Sequence, residues 1–457
     1  MRVAMNRTFN GFDTATSPTV FPTKLNVQRA IYEDLFSQDK NGKIIPILGT
    51  SLEISSDQKL FKVTLRKGVK FSNGEPFTAR AFVDHFKRAM KATMVNFIKG
   101  QIGPVKDVVA VDSHTVEFRM SRPHAGFKAA LTGPFQFFWV NAPEHAKNMG
   151  PFVTKLPVGT GPYMLDDWEQ GVKLTLVRNP NYRYPENQYL DKIVMPLVSR
   201  EEARFNALKS GDIDVYITNS GKIAKQAEKD PSIEVFGQVD QGSGIVALDT
   251  SKPPLDDLRV RKALAFAVDR KVEVQAALGG FGGILATDWF GPKSKWYCGG
   301  KTNYPEYNPA KAKELLKSYG KPVKFKLAVL TFPVFLTGAQ VYQSFWKRAG
   351  IEVELDPRPP GASWVLPLLR GGFQSFFLGI GGALDPGFQA QNLHSNSGGN
   401  FFKFHHLKDT FIFVCPVSNN IFITVFSQFI SNFRGIFRIA YSYTQTCNIF
   451  IHTINLL

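Results

Sequence analysis

The side chains that could do chemistry in this 457-residue chain are scattered rather than gathered. His85, His114, His124 and His145 are dispersed, and the sequence holds no HExxH, no GxSxG and no pair of histidines at ligand spacing. Neither a zinc-activated water nor a serine nucleophile with its base is therefore offered by a local motif. His394, in "NLHSNSGGN", is the most tempting metal ligand, for nickel, but it stands alone. The acids Asp166–Asp167 and Glu201–Glu202 are sequence neighbours, the usual pattern of a solvated face rather than of a general acid–base pair. Cys298 is the one cysteine before residue 400, with Cys415 and Cys447 beyond it, so neither a disulfide framework nor a CxxC site is available. The residues therefore predict no catalytic group, no metal and no cofactor.

One stretch invites a different chemistry. "LPVGTGPYMLDDW", Leu156 to Trp168, is glycine-rich, and such a loop ahead of a helix cradles phosphate. Here Pro162 follows, and then the alternation of "YMLDDW" and "VKLTLVRNP", which reads as strands and removes the helix N-terminus that a phosphate needs.

The elements around these residues are those of a multi-domain globular protein. The length exceeds what one core usually serves, so two or three domains are expected. The formal charge of +17 is spread among acids, as in "REEARFNALKSGDIDV", which describes a solvated basic surface and not a nucleic-acid stripe. No uninterrupted apolar run long enough to span a membrane occurs before residue 400. The start, "MRVAMNRTFNGFD", lacks the charged, apolar and small-residue succession of a secretory leader.

Turn signals at Asn41-Gly42 and Asn73-Gly74 flank the period-two stretch "LFKVTLRKGVKF", Thr78 is placed to cap a helix through "ARAFVDHFKRAM", and "VVAVDSHTVEFRM" folds back over Asp112–Ser113. A helix "REEARFNALKSG" follows, with Ala203, Ala207 and Leu208 as its apolar spacing and Gly211 as its stop, and then the strand "DIDVYITN". Beyond residue 245 longer helices alternate with strands. Asp256 or Asp257 caps a helix with the face Val260, Leu264, Ala267 and Val268, and Asn308, Pro309 and Gly320 bracket another. "VKFKLAVL", "IEVELDP" and "FQSFFLGI", separated by a helix around "AQVYQSFWKRAG", predict a mostly parallel sheet. Past Asn400 the Phe- and Ile-rich text holds a single acid, Asp409, and reads as an aberrant, frameshifted or antisense tail. An intact frame encoding it in several isolates would sink that reading.

"YEDLFSQDKNGKIIPILGTSLEISSDQKLFKVTLRKGVKFSNGEPFTARAFVDHFKR", "VGTGPYMLDDWEQGVKLTLVRNPNY", "ALKSGDIDV", "PPLDDLRVRKALAFAVDR", "YNPAKAKELL" and "AGIEVEL", in this order, resemble the family 5 solute-binding proteins. These are the peptide, oligopeptide and nickel receptors of ABC importers. The resemblance implies an α/β, type II periplasmic-binding-protein fold of two lobes with an inserted small α+β subdomain. Residues 1–39 and 156–244 would form a discontinuous lobe I, 40–155 the subdomain, 245–400 a truncated lobe II and 401–457 the aberrant tail. In the family the Gly159–Tyr163 corner re-enters the first lobe, with its glycines expected at positive φ.

The resemblance also implies a function: capture of a peptide or related small solute in an interlobe cleft and delivery to a membrane permease, by a monomer at the periplasmic or extracellular face, without nucleic acid or cofactor. A nickel or other solute receptor, or a peptide-holding chaperone or adhesin on the same fold, is the alternative. By position, contacts would come from Val20, Phe21 and Thr23, from Thr218 and Asn219, from Trp289, and from Gly379, Ile380, Gly381 and Gly382. Backbone pairing there suits peptides of any side chain, because every peptide offers the same N–H and C=O groups. Peptide receptors of this family follow a Gly-Trp pair with an Asp for the ligand's ammonium. "LGIGGALDPGF" instead has Ile380 at the Trp place and Asp385 one step late.

Overall fold

The structure is a computed structural model. It describes residues 1–8, 11–13, 22–39, 43–91, 102–124, 126–132, 138–147, 156–218, 220–236, 243–279, 304–359, 363–364, 367, 372–380, 414–417, 420–423 and 449–453. The chain divides into two compact units: Met1–Thr218 with Ala227–Phe236 and Asn448–Leu457, and Asn219–Gln226 with Gly237–Cys447.

In the first unit a short strand β1 (Val3–Ala4) precedes helix α1 (Pro22–Ile31), and β2 (Phe36–Gln38) pairs antiparallel with β3 (Ile44–Pro46). Strands β4 (Gly49–Ile54), β5 (Leu60–Leu65), β6 (Val105–Asp112) and β7 (Thr115–Met120) form an antiparallel sheet in the order β4-β5-β7-β6. The alternation of β5 buries Phe61, Val63 and Leu65 on one face, as period-two patterning requires. Helix α2 (Ala79–Lys91) belongs to the same core, its Thr78 Oγ1 accepting from Ala81 N at 3.2 Å. Phe82, Phe86, Phe118 and Phe138 stack there with ring centroids 5.6–6.4 Å apart. Two short helices follow, α3 (Phe127–Ala130) and α4 (Pro143–Lys147).

The chain then makes an antiparallel meander of β8 (Tyr163–Glu169), β9 (Lys173–Arg178) and β10 (Lys192–Pro196). The corner before β8 corrects the expectation for its glycines: neither Gly159 nor Gly161 has a left-handed φ. Both are glycine because backbone passes against backbone. A Cβ on Gly161 would stand 2.6 Å from the Ala30 carbonyl oxygen, and one on Gly159 would overlap the Ile31 carbonyl oxygen more deeply. Gly161 N in turn donates to Ile31 O at 2.8 Å.

A third sheet has the order β1-β11-β19-β12, with β11 (Val215–Thr218) parallel to β1, and with β19 (Ile449–Thr453) antiparallel to both β11 and β12 (Ile233–Phe236). Helix α5 (Glu201–Lys209) precedes β11, and α6 (Gly221–Ala227) follows it. The buried positions of α5 are Arg204 and Leu208, whereas Ala203 is exposed, so its inward stripe runs one residue off the expected alanine face.

The second unit is an α/β layer. β14 (Val323–Leu330) runs parallel to both β15 (Ile351–Arg358) and β16 (Ser375–Ile380), and β13 (Ser243–Leu248) closes the sheet antiparallel to β16. Its helices are α7 (Leu258–Phe266), α8 (Arg270–Leu278), α9 (Pro309–Tyr319) and α10 (Pro333–Ala349). Asp257 caps α7, accepting from Arg259 N at 2.8 Å, and Val260, Leu264, Ala267 and Val268 are buried as the spacing predicts. Asn308 caps α9, which ends at Gly320 with φ +73°. Trp346 of α10 fills the core and donates its Nε1 to Leu264 O at 3.0 Å. A hairpin of β17 (Val414–Val417) and β18 (Asn420–Ile423) lies in the stretch expected to be aberrant text.

Candidate functional site

Ligands of open α/β sheets bind beyond the carboxyl ends of the parallel strands, so those ends are where each unit has to be read. In the first unit β11 ends at Thr218, which is buried. Its Oγ1 donates to Glu201 Oε1, and Glu201 Oε2 accepts from Arg204 Nη2. The same guanidinium donates through Nη1 to the carbonyls of Val198 and Ser199, at 2.8 and 2.9 Å, and lies 5.5 Å from the centre of the Tyr216 ring. Glu201 is thus no solvated acid, while its neighbour Glu202 is exposed. Burial, reinforced by Glu201, pushes the Tyr216 hydroxyl well above the ordinary tyrosine range. This buried network fixes the end of β11 against α5.

In the second unit β16 ends at Gly379 and Ile380, which pair across the ladder with Gly244 and Ser243 of β13. Toward α8 and α10 lies a cluster of Arg270, Glu273, Tyr304, Tyr342 and Phe377. The Arg270 guanidinium stacks 4.1 Å from the Tyr304 ring centre, and Tyr342 meets Phe377 at 5.6 Å. A Cβ on Gly338 would reach 2.9 Å from the Phe377 ring and 3.0 Å from Glu273 Oε1, so α10 presses its glycine onto the acid. Burial lifts the Glu273 carboxyl to about 7, against the pull of Arg270, and raises Tyr304 and Tyr342 as well.

Of the residues expected to touch solute, Thr23 lies in the first turn of α1, Thr218 at the end of β11, and Gly379 and Ile380 at the end of β16. Val20, Phe21, Asn219, Trp289, Gly381, Gly382 and Asp385 lie outside the described residues. His394 lies outside them too, and among the described residues no three His, Cys, Asp or Glu side chains gather closely enough to hold a metal ion. None of the helices described is long and apolar enough to cross a membrane. Sequence reasoning passed over Glu273 and Arg204. The available signal was a charged residue on the less exposed side of a helix, Glu273 beside Val274 and Ala277.

The sequence profile described as bacterial extracellular solute-binding proteins, family 5 Middle, matches residues 43–401. The chain belongs to this family. Among family 5 relatives it is 29% identical to the nickel-binding periplasmic protein of Escherichia coli K12, over 73% of this chain and 67% of that one. It is also 29% identical to the E. coli K12 glutathione-binding protein GsiB, over 69% of this chain and 61% of the relative. The chain therefore spans about two thirds of the length of these curated relatives. Among solved structures it resembles the periplasmic binding protein DppA of Helicobacter pylori in complex with the peptide STSA. That match has 25% identity and a TM-score of 0.76, and covers 88% of this chain and 83% of the other. These family 5 proteins are binding proteins, and their architecture is the two-lobed α/β binding-protein fold.

Proposed function

We propose that this chain is the solute receptor of an ABC importer, working on the extracytoplasmic face and delivering a peptide or related small solute to a membrane permease. The family match across residues 43–401 carries the reading. Each unit adds a mixed sheet with a parallel strand pair, β1–β11 in one and β14–β16 in the other, and the ends of β11 and β16 carry the candidate contacts Thr218 and Gly379–Ile380. The remaining contacts proposed are Val20, Phe21, Thr23, Asn219, Trp289, Gly381, Gly382 and Asp385. The receptor acts as a monomer and breaks no bond of its solute; it lowers the solute's free energy and releases it.

Thermal unfolding in the presence of di- and tripeptides, glutathione and nickel–histidine tests this. A solute at 100 times its Kd stabilises the folded protein by about 2.7 kcal/mol. A folded sample that shifts with none of these would overturn the peptide reading.

A further inference from the structure

We infer that the Asp34 carboxyl is a proton-dependent clasp on the seam between two hydrophobic cores of the first unit: protonated, it holds the seam shut, and ionised, it lets the seam loosen. The inference stands apart from the transport reading above.

One core gathers the β8–β10 meander and α1, and includes Phe12, Ile31, Tyr32 and Trp139. The other is built on β5, β7 and α2, and includes Leu35, Phe36, Phe138, Val140 and Ala142. Two chain segments join them. Residues 31–36 cross end to end, with Ile31 and Tyr32 in the first core and Leu35 and Phe36 in the second, which leaves Glu33 and Asp34 at the crossing. Residues 138–142 run between the cores, sending Phe138, Val140 and Ala142 to one and Trp139 to the other. Side chains tie the two segments together. Trp139 Nε1 donates to Asp34 Oδ1 at 2.5 Å, Tyr32 Oη donates to Asn141 Oδ1 at 2.6 Å, and the Tyr32 and Trp139 rings stack with centroids 6.3 Å apart. Elsewhere the same seam is bridged by Asp13, next to Phe12, which accepts from Arg88 Nη1 and Nη2 of α2 at 2.9 and 2.8 Å.

Of these ties, the one at Asp34 can change charge within the ordinary pH range. The residue is partly exposed, so protons reach it, yet burial lifts its carboxyl to about 7 against the pull of Arg29 and the indole donor, with Glu33 adding to the rise. Arg29, on α1, is the cation that faces it. Glu33, its neighbour in the chain, is held by Arg183 at 2.6 and 2.7 Å. Leu48 N donates to Asp34 O at 3.2 Å, and beside it Arg66 gives its Nε to Ile47 O at 2.8 Å. Residues 138–142 carry no titratable side chain. Neutral, the carboxyl brings its own proton and needs little beyond the indole. Ionised, it asks for more donors than the seam holds, and water supplies them when the two segments part. The raised carboxyl therefore contributes fully below its unfolded value of 3.8, and the contribution is lost as pH rises to about 7.

The test uses the full chain. The indole N–H resonance of Trp139, assigned by its loss in Trp139→Phe, is expected to titrate with a midpoint of about 7. It is expected to stand still in Asp34→Asn, whose amide oxygen accepts from the same indole without a charge. Amide hydrogen exchange, divided by each amide's intrinsic rate, reads the seam at Leu48 and Ala142, which donate to Asp34 O and Val158 O. Exchange there is expected to quicken by up to roughly tenfold per pH unit between about 4 and 7 and then to level off, without the amides in the middle of β5 and β7 following. In Asp34→Asn it is expected to stay slow throughout. A midpoint below about 5, or a resonance that titrates equally in Asp34→Asn, overturns the inference. So does loss of protection shared evenly with β5 and β7. If Asp34→Asn fails to fold, the wild-type midpoint and the comparison of Leu48 with β5 decide by themselves.

Discussion

Glu33 and Arg183, 150 residues apart, face each other through two hydrogen bonds of 2.6 and 2.7 Å. The guanidinium also lies over the rings of Tyr182 and Tyr184, 5.5 and 4.8 Å from their centres. Both side chains are largely withdrawn from water. Removing one partner strands a buried charge, which costs about 3–5 kcal/mol, whereas removing both costs far less. Arg183→Leu is therefore expected to be much less stable than Glu33→Gln/Arg183→Leu in urea unfolding. A double-mutant cycle with no coupling would contradict this.

The two glycines of the corner before β8 differ from those at positive φ elsewhere. Gly171 has φ +84° with open space around its Cβ direction, so Gly171→Ala is expected to cost about 1 kcal/mol of backbone strain. Gly159→Ala and Gly161→Ala must push a carbonyl of α1 aside and are expected to reach or exceed the ~1–3 kcal/mol of an overpacked core. Equal denaturation midpoints for Gly171→Ala and Gly159→Ala would show that the close approach is not limiting.

Stability is expected to fall as pH rises from about 4.5 to 7. Burial raises the Glu273 carboxyl to about 7 from an unfolded value of 4.5, so its contribution is complete below 4.5 and is lost as pH rises through 7. Asp34 behaves alike, lifted by burial to about 7 while Trp139 Nε1 donates to it at 2.5 Å. Shifts of this size correspond to at most about 3 kcal/mol for Glu273 and about 4 kcal/mol for Asp34, whose unfolded value is 3.8. His124 opposes the two carboxyls over most of the same range: burial first, then Arg122, lower it to about 4, so its contribution is lost as pH falls from 6.5 to 4. Glu273→Gln should flatten the neutral limb of the unfolding midpoint against pH, and an unchanged slope would rule its carboxyl out as the cause.

The solute is expected not to rely on a free amino end. With Ile380 at the Trp place and Asp385 displaced, a buried ammonium would lack its carboxylate, at about 3–5 kcal/mol or two to four decades in affinity. Calorimetry of matched free-amine and N-acetylated peptides should give affinities within tenfold. A loss of about 3 kcal/mol or more on acetylation, reproduced by Asp385→Asn, would overturn the expectation.

Local rules read well from the sequence. The cap of Thr78, the Asn308–Pro309–Gly320 bracket and the alternation of β5 all involve residues within a few positions of one another. What escaped the reading is non-local. Nothing near Gly159 announces that the carbonyls of α1 will lie against it, so its glycines looked like turn residues. Arg204 appeared as a surface charge because its partners, two carbonyls, a carboxylate and the face of Tyr216, belong to the packed state. Asp13 and Arg88 are 75 residues apart and unremarkable singly. The positions proposed to touch solute came from resemblance, since backbone pairing leaves no side-chain signature.

The place of β19 has a consequence for biosynthesis. β19 stands between β11 and β12, both of which leave the ribosome long before it. Those two strands cannot pair with each other without blocking its seat, about 4.8 Å from each. The nascent first unit must wait with an open slot until Ile449–Thr453 have been made. Through that interval the facing edges of β11 and β12 stay open to strands of other chains.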